Sequence, residues 1–487
     1  MKAIKNILKI GLIILVFAVG VSIIGCDTPP EVTTTAHPCA AGHTEVIDPG
    51  VKATCTEDGI TDGKHCSVCN EVLIAQEVAP ALGHKISVDA EIPASCTTYG
   101  RTKGSHCSRC HLVIEKTVQT EPLGHDVKKY DCSRCSYSKF SDPTSYSSSY
   151  GYEYLGTLEN GEAMQKFYTR LDELALNFHT NSSLTLLEPS PFTEGNYLLD
   201  PVKYGDLGLT YDEAETVMSS WDNDRPIYYW LSSDWSLNRN SGSIWLETNK
   251  DYIAGKDRAK YNSLIYSAIE EYVISFESEE SEYMLTLGYH NKIIESIDYA
   301  YESDGVTAMS TTWAHSILGV FDGRGAVCEG YAKALQLLLT FSGVENYYVR
   351  GIAGGGGHAW NLIKLDDGEW YWCDPTWDDD KYADYGIKYS YFCVTDTESF
   401  SIFTKTHTQY TPSSSAPYNR IYPLPARSTK PFDEPGVNEI YDIFEVNGYR
   451  YEVSGYRTVR SLGTSAGMAG SPPSRVTYDG IEYTVKK

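Results

Sequence analysis

The apolar positions of this chain change period from region to region, and those changes divide it. After Lys2, Lys5 and Lys9 they run almost unbroken from Ile10 to Ile24, a basic start and short apolar core that predict a secretion signal rather than a membrane span. No other stretch is long and apolar enough to cross a bilayer. Between Tyr152 and His179, the residues Leu158, Met164, Phe167, Leu171, Leu174, Ala175 and Phe178 fall at helical steps. Thr210 with acidic residues after it predicts a capped helix, and Tyr283, Leu287, Ile293, Ile294 and Ile297 mark another. From Cys328 onward, Tyr331, Ala332, Leu335, Leu338 and Leu339 give one buried helical face, closed by Gly343. The pattern then turns to strands: 346–352, HAWNLIKL from His358 after the glycines 354–357, and EWYWCD beyond the Asp366-Asp367-Gly368 turn. Near the end, Asn447-Gly448 and Asp479-Gly480 each sit between strand-like runs, a strong hairpin signal.

These shifts predict a signal segment over 1–25, a linker over 26–38 and small polar repeats over 39–137. A Ser/Tyr linker follows over 138–151, then a helical region over 152–300 and an α+β core over 301–410. A Pro/Ser linker over 411–436 leads to a small β domain over 437–487. A chain of 487 residues with 41% hydrophobic residues has material for several domains. Its net charge of −25 suits a surface protein and disfavours nucleic acids and other anionic polymers as partners.

The core brings chemistry. Cys328 falls at a helix start, where unpaired N–H groups and the helix dipole favour a thiolate. His358 opens a strand, and Asp374 ends the next one. Neighbouring antiparallel strands lie ~5 Å apart, so the two can be hydrogen-bonding neighbours. A thiol, an imidazole and an orienting carboxylate make a nucleophilic triad. An acidic residue in a helix's first turn needs no catalytic role, so Glu329 is read as electrostatic. Trp360, Trp372 and Trp377 are read as core or groove walls, and Cys373 and Cys393 as buried thiols.

The motifs GAVCEGYA around Cys328, HAWN from His358 and DPTWDD from Asp374 resemble, as a set, the transglutaminase-like superfamily in its bacterial extracellular members. The resemblance implies a papain-like α+β core with Cys328 as nucleophile, His358 as base and Asp374 as orienter. It implies attack on an amide carbonyl of a protein or peptide through a thioester, with water or an amine completing the reaction and no catalytic cofactor. Hydrolysis is preferred, since water is abundant and no amine site is visible in the sequence. The oxyanion hole should include the backbone N–H of Cys328, with Trp313 a candidate second donor. The alternative is a catalytically silent adhesin that keeps the fold.

Ahead of the enzyme lies a repeat. His43, Cys55, Cys66, Cys69 and His84 recur as His84, Cys96, Cys107, Cys110 and His125 at an offset of 41, and a truncated unit supplies Cys132 and Cys135. Thiolates and imidazole around CxxC pairs suit tetrahedral zinc, and units this small need the folding energy a metal supplies. The expected ligand sets are Cys55, Cys66, Cys69 and His84, then Cys96, Cys107, Cys110 and His125, one structural zinc each. His43, Cys132 and Cys135 are alternatives, and His65 and His106 are spare candidates. Disulfides compete in an oxidising compartment, but three cysteines per unit with a phased histidine fit metal better. The repeats resemble zinc-ribbon-type modules of secreted bacterial surface proteins, used for spacing or attachment. The C-terminal strands resemble the β-rich start of surface leucine-rich-repeat proteins and are read as an appendage. Gly25-Cys26 resembles a bacterial lipobox, which would lipidate Cys26 and anchor the chain to the extracellular face of the cell membrane. A cell-wall or surface-protein partner is expected there.

Overall fold

The computed structural model describes residues 38–232, 236–279, 281–380, 387–396, 406–416, 419–432, 443–455, 458–464, 471–478 and 481–486. The predicted signal segment and Cys26 lie outside them, as does the Asp479-Gly480 turn. No helix among the described residues is long and apolar enough to cross a membrane. The chain forms two compact units, 1–124 and 125–487.

The first unit is two copies of one small motif. Strands Glu45–Asp48, Gly63–Cys66 and Val72–Ile74 form an antiparallel sheet, and Ile86–Asp89, Gly104–Cys107 and Val113–Glu115 form its twin. Valines and isoleucines such as Val46, Val72, Ile86 and Val113 face outward, and among its described residues the buried apolar ones are Cys39, Cys55, Cys66, Cys96 and Cys107. A unit whose interior is cysteine has little hydrophobic energy of its own.

The second unit has an ordinary core. Helices α1 (Tyr150–Gly156), α2 (Gly161–Thr180), α3 (Tyr211–Asp224), α4 (Gly255–Ser275) and α5 (Glu282–Ser296) bury aromatic and aliphatic faces in one cluster. The predicted helix over 152–179 is broken by the turn between α1 and α2. α3 begins with a capping box, in which Thr210 and Glu213 satisfy each other's backbone N–H groups. Helix α6 (Ile317–Phe321) leads to α7 (Cys328–Ser342), whose end is set by Gly343 in the left-handed region at φ 86°. The four-stranded antiparallel sheet is ordered Trp370–Cys373, Gly356–Lys364, Asn346–Ala353, His407–Gln409, and α7 lies against it. Short helix α8 (Pro375–Asp378) follows the first of these strands. The class is α+β, as expected.

Neither predicted linker inside this unit is free. Over 138–151, Phe140 and Tyr146 are buried and stack on Phe341 of α7. Serine-rich composition concealed two aromatic anchors. Over 411–436, Ile421 is buried beside Trp360 and Trp372, and Ser428 donates its N–H to the carbonyl of Trp370. The C-terminal sheet is ordered Ile443–Val446, Tyr449–Gly455, Thr458–Thr464, Ile481–Lys486, Arg475–Tyr478. Asn447 and Gly448 take φ 53° and 81° in its first hairpin, as a type I′ turn requires.

Candidate active site

Cys328 is the first residue of α7, directly after the extended Val327. Its N–H is among the first-turn groups without a helical partner. The Gly354–Gly355 turn, at φ 58° and 88°, folds the Gly356–Lys364 strand back along Asn346–Ala353, so that His358 faces Gly351. Asn361 of the histidine strand donates to the carbonyl of Ala332, one turn into α7, at 3.0 Å. That bond fixes the helix against the strand and sets the distance between thiol and imidazole. In register, Asn361 pairs with Cys373, so Asp374 leaves its strand diagonally across from His358.

The three predicted residues meet. His358 Nε2 and Asp374 Oδ2 are 2.7 Å apart, with the carboxylate fully buried. The Cys328 thiol is the imidazole's other hydrogen-bonding neighbour, which leaves Nδ1 for the sulfur. Burial works against a charged imidazole, but Asp374 and then Cys328 outweigh it and push His358 up to about 10. Burial likewise opposes the Asp374 charge, yet His358 and His407 hold its carboxyl at about 2. The site is therefore built to keep an imidazolium beside the sulfur, the state in which a cysteine is a nucleophile.

Sequence reasoning missed His407. Its Nε2 lies 3.1 Å from the same Asp374 Oδ2. Asp374 Oδ1 accepts the N–H groups of Thr376 and Trp377 at 3.0 and 3.2 Å, as the cap of α8. His358, Asp374 and His407 thus gather their donor atoms within 4.8 Å, wired to one another by hydrogen bonds. Tyr299 was missed as well. Its segment runs parallel to the approach to α7, bridging Ala326, and its phenol oxygen accepts from the backbone N–H of Cys328. Trp313 lies under the Arg324 guanidinium, packed on Ala314 and Val327. Trp360 and Trp372 are core, and Trp377 packs on both His358 and His407.

Cys328 and His358 open into a cleft of about 570 Å³. One wall is Glu215 and Asp222 of α3 with Arg225 and Tyr228 just beyond it. Another is Glu329, whose carboxylate takes His315 Nδ1 at 2.7 Å, the Tyr348 hydroxyl at 3.3 Å and the Lys333 ammonium at 3.4 Å. Burial opposes that charge, but Lys333 and His315 bring the Glu329 carboxyl to about 2. Glu329 is thus the centre of a His315–Tyr348–Lys333 network beside the nucleophile. Cys373 and Cys393 are buried away from the cleft.

Residues 271–375 match the Transglutaminase-like superfamily. The matched segment contains all three residues of the triad and begins in α4, upstream of the motifs that carry the likeness. Among solved structures, the chain is similar to a TGase crystal structure at 20% identity, covering 30% of this chain and 45% of that one, with a TM-score of 0.21. It is also similar to a candidate cysteine protease from Cytophaga hutchinsonii at 15% identity, covering 40% and 70%, with a TM-score of 0.19. The chain spans less than half of the first of these. No curated protein matches it. The family match thus covers a defined part of the second unit.

In the first unit the cysteines and histidines gather into four-donor sets, but not the expected ones. Cys39, His43, Cys66 and Cys69 form one, and Cys55, His84, Cys107 and Cys110 form the other. Each CxxC takes the histidine before it, and Cys55 reaches into the next repeat. The expectation that Cys55 and His84 complete the Cys66–Cys69 set is corrected, as is the grouping of Cys96 and His125 with Cys107–Cys110. A phased repeat fixes which residue types recur, not which copy folds against which. Cys39 was missed because it has no counterpart at the repeat offset. His65 and His106 are not ligands; they pair with Asp48 at 2.7 Å and Asp89 at 2.9 Å. In the second unit, His125 Nδ1 stands 3.3 Å from Cys135 Sγ, and Cys132 accepts the N–H of Arg134.

The donor spacings suit one tetrahedral ion per set. Cys39 and Cys66 sulfurs are 3.3 Å apart, those of Cys55 and Cys107 3.7 Å, and Cys69 and Cys110 each lie 3.5 Å from their histidine Nδ1. Ligands at about 2.0–2.3 Å from a shared tetrahedral centre stand roughly 3.3–3.8 Å from one another. Burial opposes ionisation of Cys66, but N–H groups of Cys69 and Val68 bring it down to about 5. Thiolates are what a metal takes.

Proposed function

We propose that the protein is an extracellular, lipid-anchored cysteine enzyme that cleaves amide bonds of proteins or peptides. The observation that carries this reading is the single imidazole held at 2.7 Å by a buried carboxylate on one nitrogen and by the Cys328 thiol on the other. The Cys328 sulfur attacks the amide carbonyl, and the oxyanion takes the Cys328 N–H from the Tyr299 oxygen, with the Tyr299 hydroxyl turning to donate as the second group. Burial pushes that phenol up, so it stays protonated and able to donate. His358 passes its proton to the departing amine, leaving a thioester. Water, deprotonated by His358, then releases the acid and restores the thiol.

Water is favoured over an amine as second substrate. The acidic groups nearest the nucleophile are already engaged: Glu329 by His315 and Lys333, and Asp222 by Lys333 at 3.4 Å. A peptide library incubated with and without a primary amine separates the outcomes, because hydrolysis gives free acids in both arms while transfer gives amides in one. A silent adhesin would show neither product, and its Cys328 would react with iodoacetamide no faster than an ordinary free thiol at the same pH.

The metal in the first unit is proposed to be zinc, held structurally by the two four-donor sets. The lipid anchor is proposed from the basic start, the apolar run and Gly25-Cys26. Cys26→Ser should move the protein from the membrane fraction to the medium; retention at the membrane would overturn it.

A further inference from the structure

The Asp374 carboxylate is fully buried, so each of its oxygens needs hydrogen-bond donors to hold its charge. Oδ1 has the Thr376 and Trp377 N–H groups. On Oδ2, His358 supplies one donor and His407 the second. His407 comes from a different part of the chain, the edge strand His407–Gln409, where it pairs with Ala353 of the central strand. Its side chain is 1% exposed. The ring is boxed in by Trp377 at 4.5 Å, Trp360 at 5.0 Å and Tyr391 at 5.8 Å between ring centres.

The tautomer follows from the network. To donate from Nε2 a neutral imidazole must accept at Nδ1, and the Thr406 hydroxyl stands 2.8 Å from Nδ1. Thr406 thus donates to His407, which donates to Asp374, which holds His358. The titratable groups facing His407 are Asp374, His358 and Tyr391.

Resting on the nucleophile assignment above, we propose that His407 is a positioning residue for the triad. It keeps Asp374 charged and aimed, and through it keeps His358 protonated beside Cys328. A buried carboxylate stripped of one of the two donors on the oxygen that binds His358 is held less firmly there and keeps its charge less well.

Iodoacetamide alkylation of Cys328 in the full-length protein, followed by mass spectrometry across pH, reads the ion pair without a substrate. His407→Phe keeps the bulk and removes the donor. Its alkylation at about pH 5 should fall roughly tenfold, the change that one pKa unit of the ion pair represents, and its acid limb should move up in pH. His407→Gln, whose amide can reach the same oxygen, should restore most of the wild-type profile. Thr406→Val should shift the limb in the same direction by less. If wild-type Cys328 is as unreactive at about pH 5 as an ordinary free thiol, the nucleophile assignment itself fails. If wild-type Cys328 is fast and His407→Phe, or Thr406→Val should the Phe variant not fold, matches it at every pH, the role of His407 is overturned. A Gln variant as slow as the Phe variant would also overturn it.

Discussion

Four hydrogen bonds converge on the Asp374 carboxylate, and the behaviour of the triad follows from how firmly they hold it charged. Asp374→Asn keeps the shape but removes the charge and can turn the imidazole to the wrong tautomer. A fall of about 10⁴ in kcat is expected, as in serine triads. Near-normal turnover would make Asp374 structural. Asn361 and Asp378 are not substitutes, since Asn361 is bonded to Ala332 and Asp378 pairs with His290 at 3.2 Å. Tyr299→Phe removes one proposed oxyanion donor and should lower kcat by about 10²–10³ with little change in KM. The ion pair also has a pH signature. Asp374, held at about 2 against an ordinary 3.8, contributes stability fully above 3.8 and loses it as pH falls through about 2. His358, raised from 6.5 to about 10, contributes fully below 6.5 and loses it as pH rises through about 10. Both contributions are whole between 3.8 and 6.5. The melting-temperature gap between wild type and Asp374→Asn should be widest there, shrink as pH rises above 6.5 and level off above about 10. A gap independent of pH would mean that no ion pair exists.

The elements around the site set these distances, and the central strand has the least room. A side chain on Gly351 would drive into the Thr408 carbonyl and the Trp360 ring. Gly351→Ala should push the His407 strand off the sheet edge, costing about 1–3 kcal/mol and slowing Cys328 alkylation. Gly356→Ala meets nothing within 4 Å and serves as the control; equal losses in both, read by thermal melting and alkylation rate, would show that crowding at the edge is not the cause. The same geometry explains what could be read in advance. Cys328, His358 and Asp374 were legible because each sits where a local pattern changes: a helix start, a glycine turn, a strand end after Asp366-Asp367-Gly368. His407 is 33 residues from Asp374, and nothing in THTQ announces an imidazole aimed at a buried carboxylate. Tyr299 is one of 38 tyrosines, singled out only by the segment pairing that brings it to Ala326. The supposed linker over 138–151 failed for the converse reason, because a few aromatics decide packing while serines decide composition.

Across the whole molecule, two kinds of stability are joined in one chain: a second unit held by a large apolar cluster, and a first unit whose buried apolar residues are cysteines. Removing metal should therefore act on the first unit and spare the triad. With zinc bound to the full-length protein, Cys66, Cys69, Cys107 and Cys110 should resist alkylation; after chelation they should react while the rate at Cys328 stays unchanged. The interleaved ligand sets make a sharper demand. Cys55→Ser removes a donor from the set that contains Cys107 and Cys110, although Cys55 lies closer in sequence to Cys66 and Cys69. It should lower the zinc content by about one ion and expose Cys107 and Cys110, leaving Cys66 and Cys69 protected. Cys39→Ser should do the reverse. If each repeat closed its own site, Cys55→Ser would expose Cys66 and Cys69 instead, and Cys39→Ser would change nothing. Mass spectrometry of the alkylated peptides distinguishes the two. The interleaved outcome would also make the ion held by Cys55, His84, Cys107 and Cys110 a tie between the two copies, so that losing that ion loosens both rather than one.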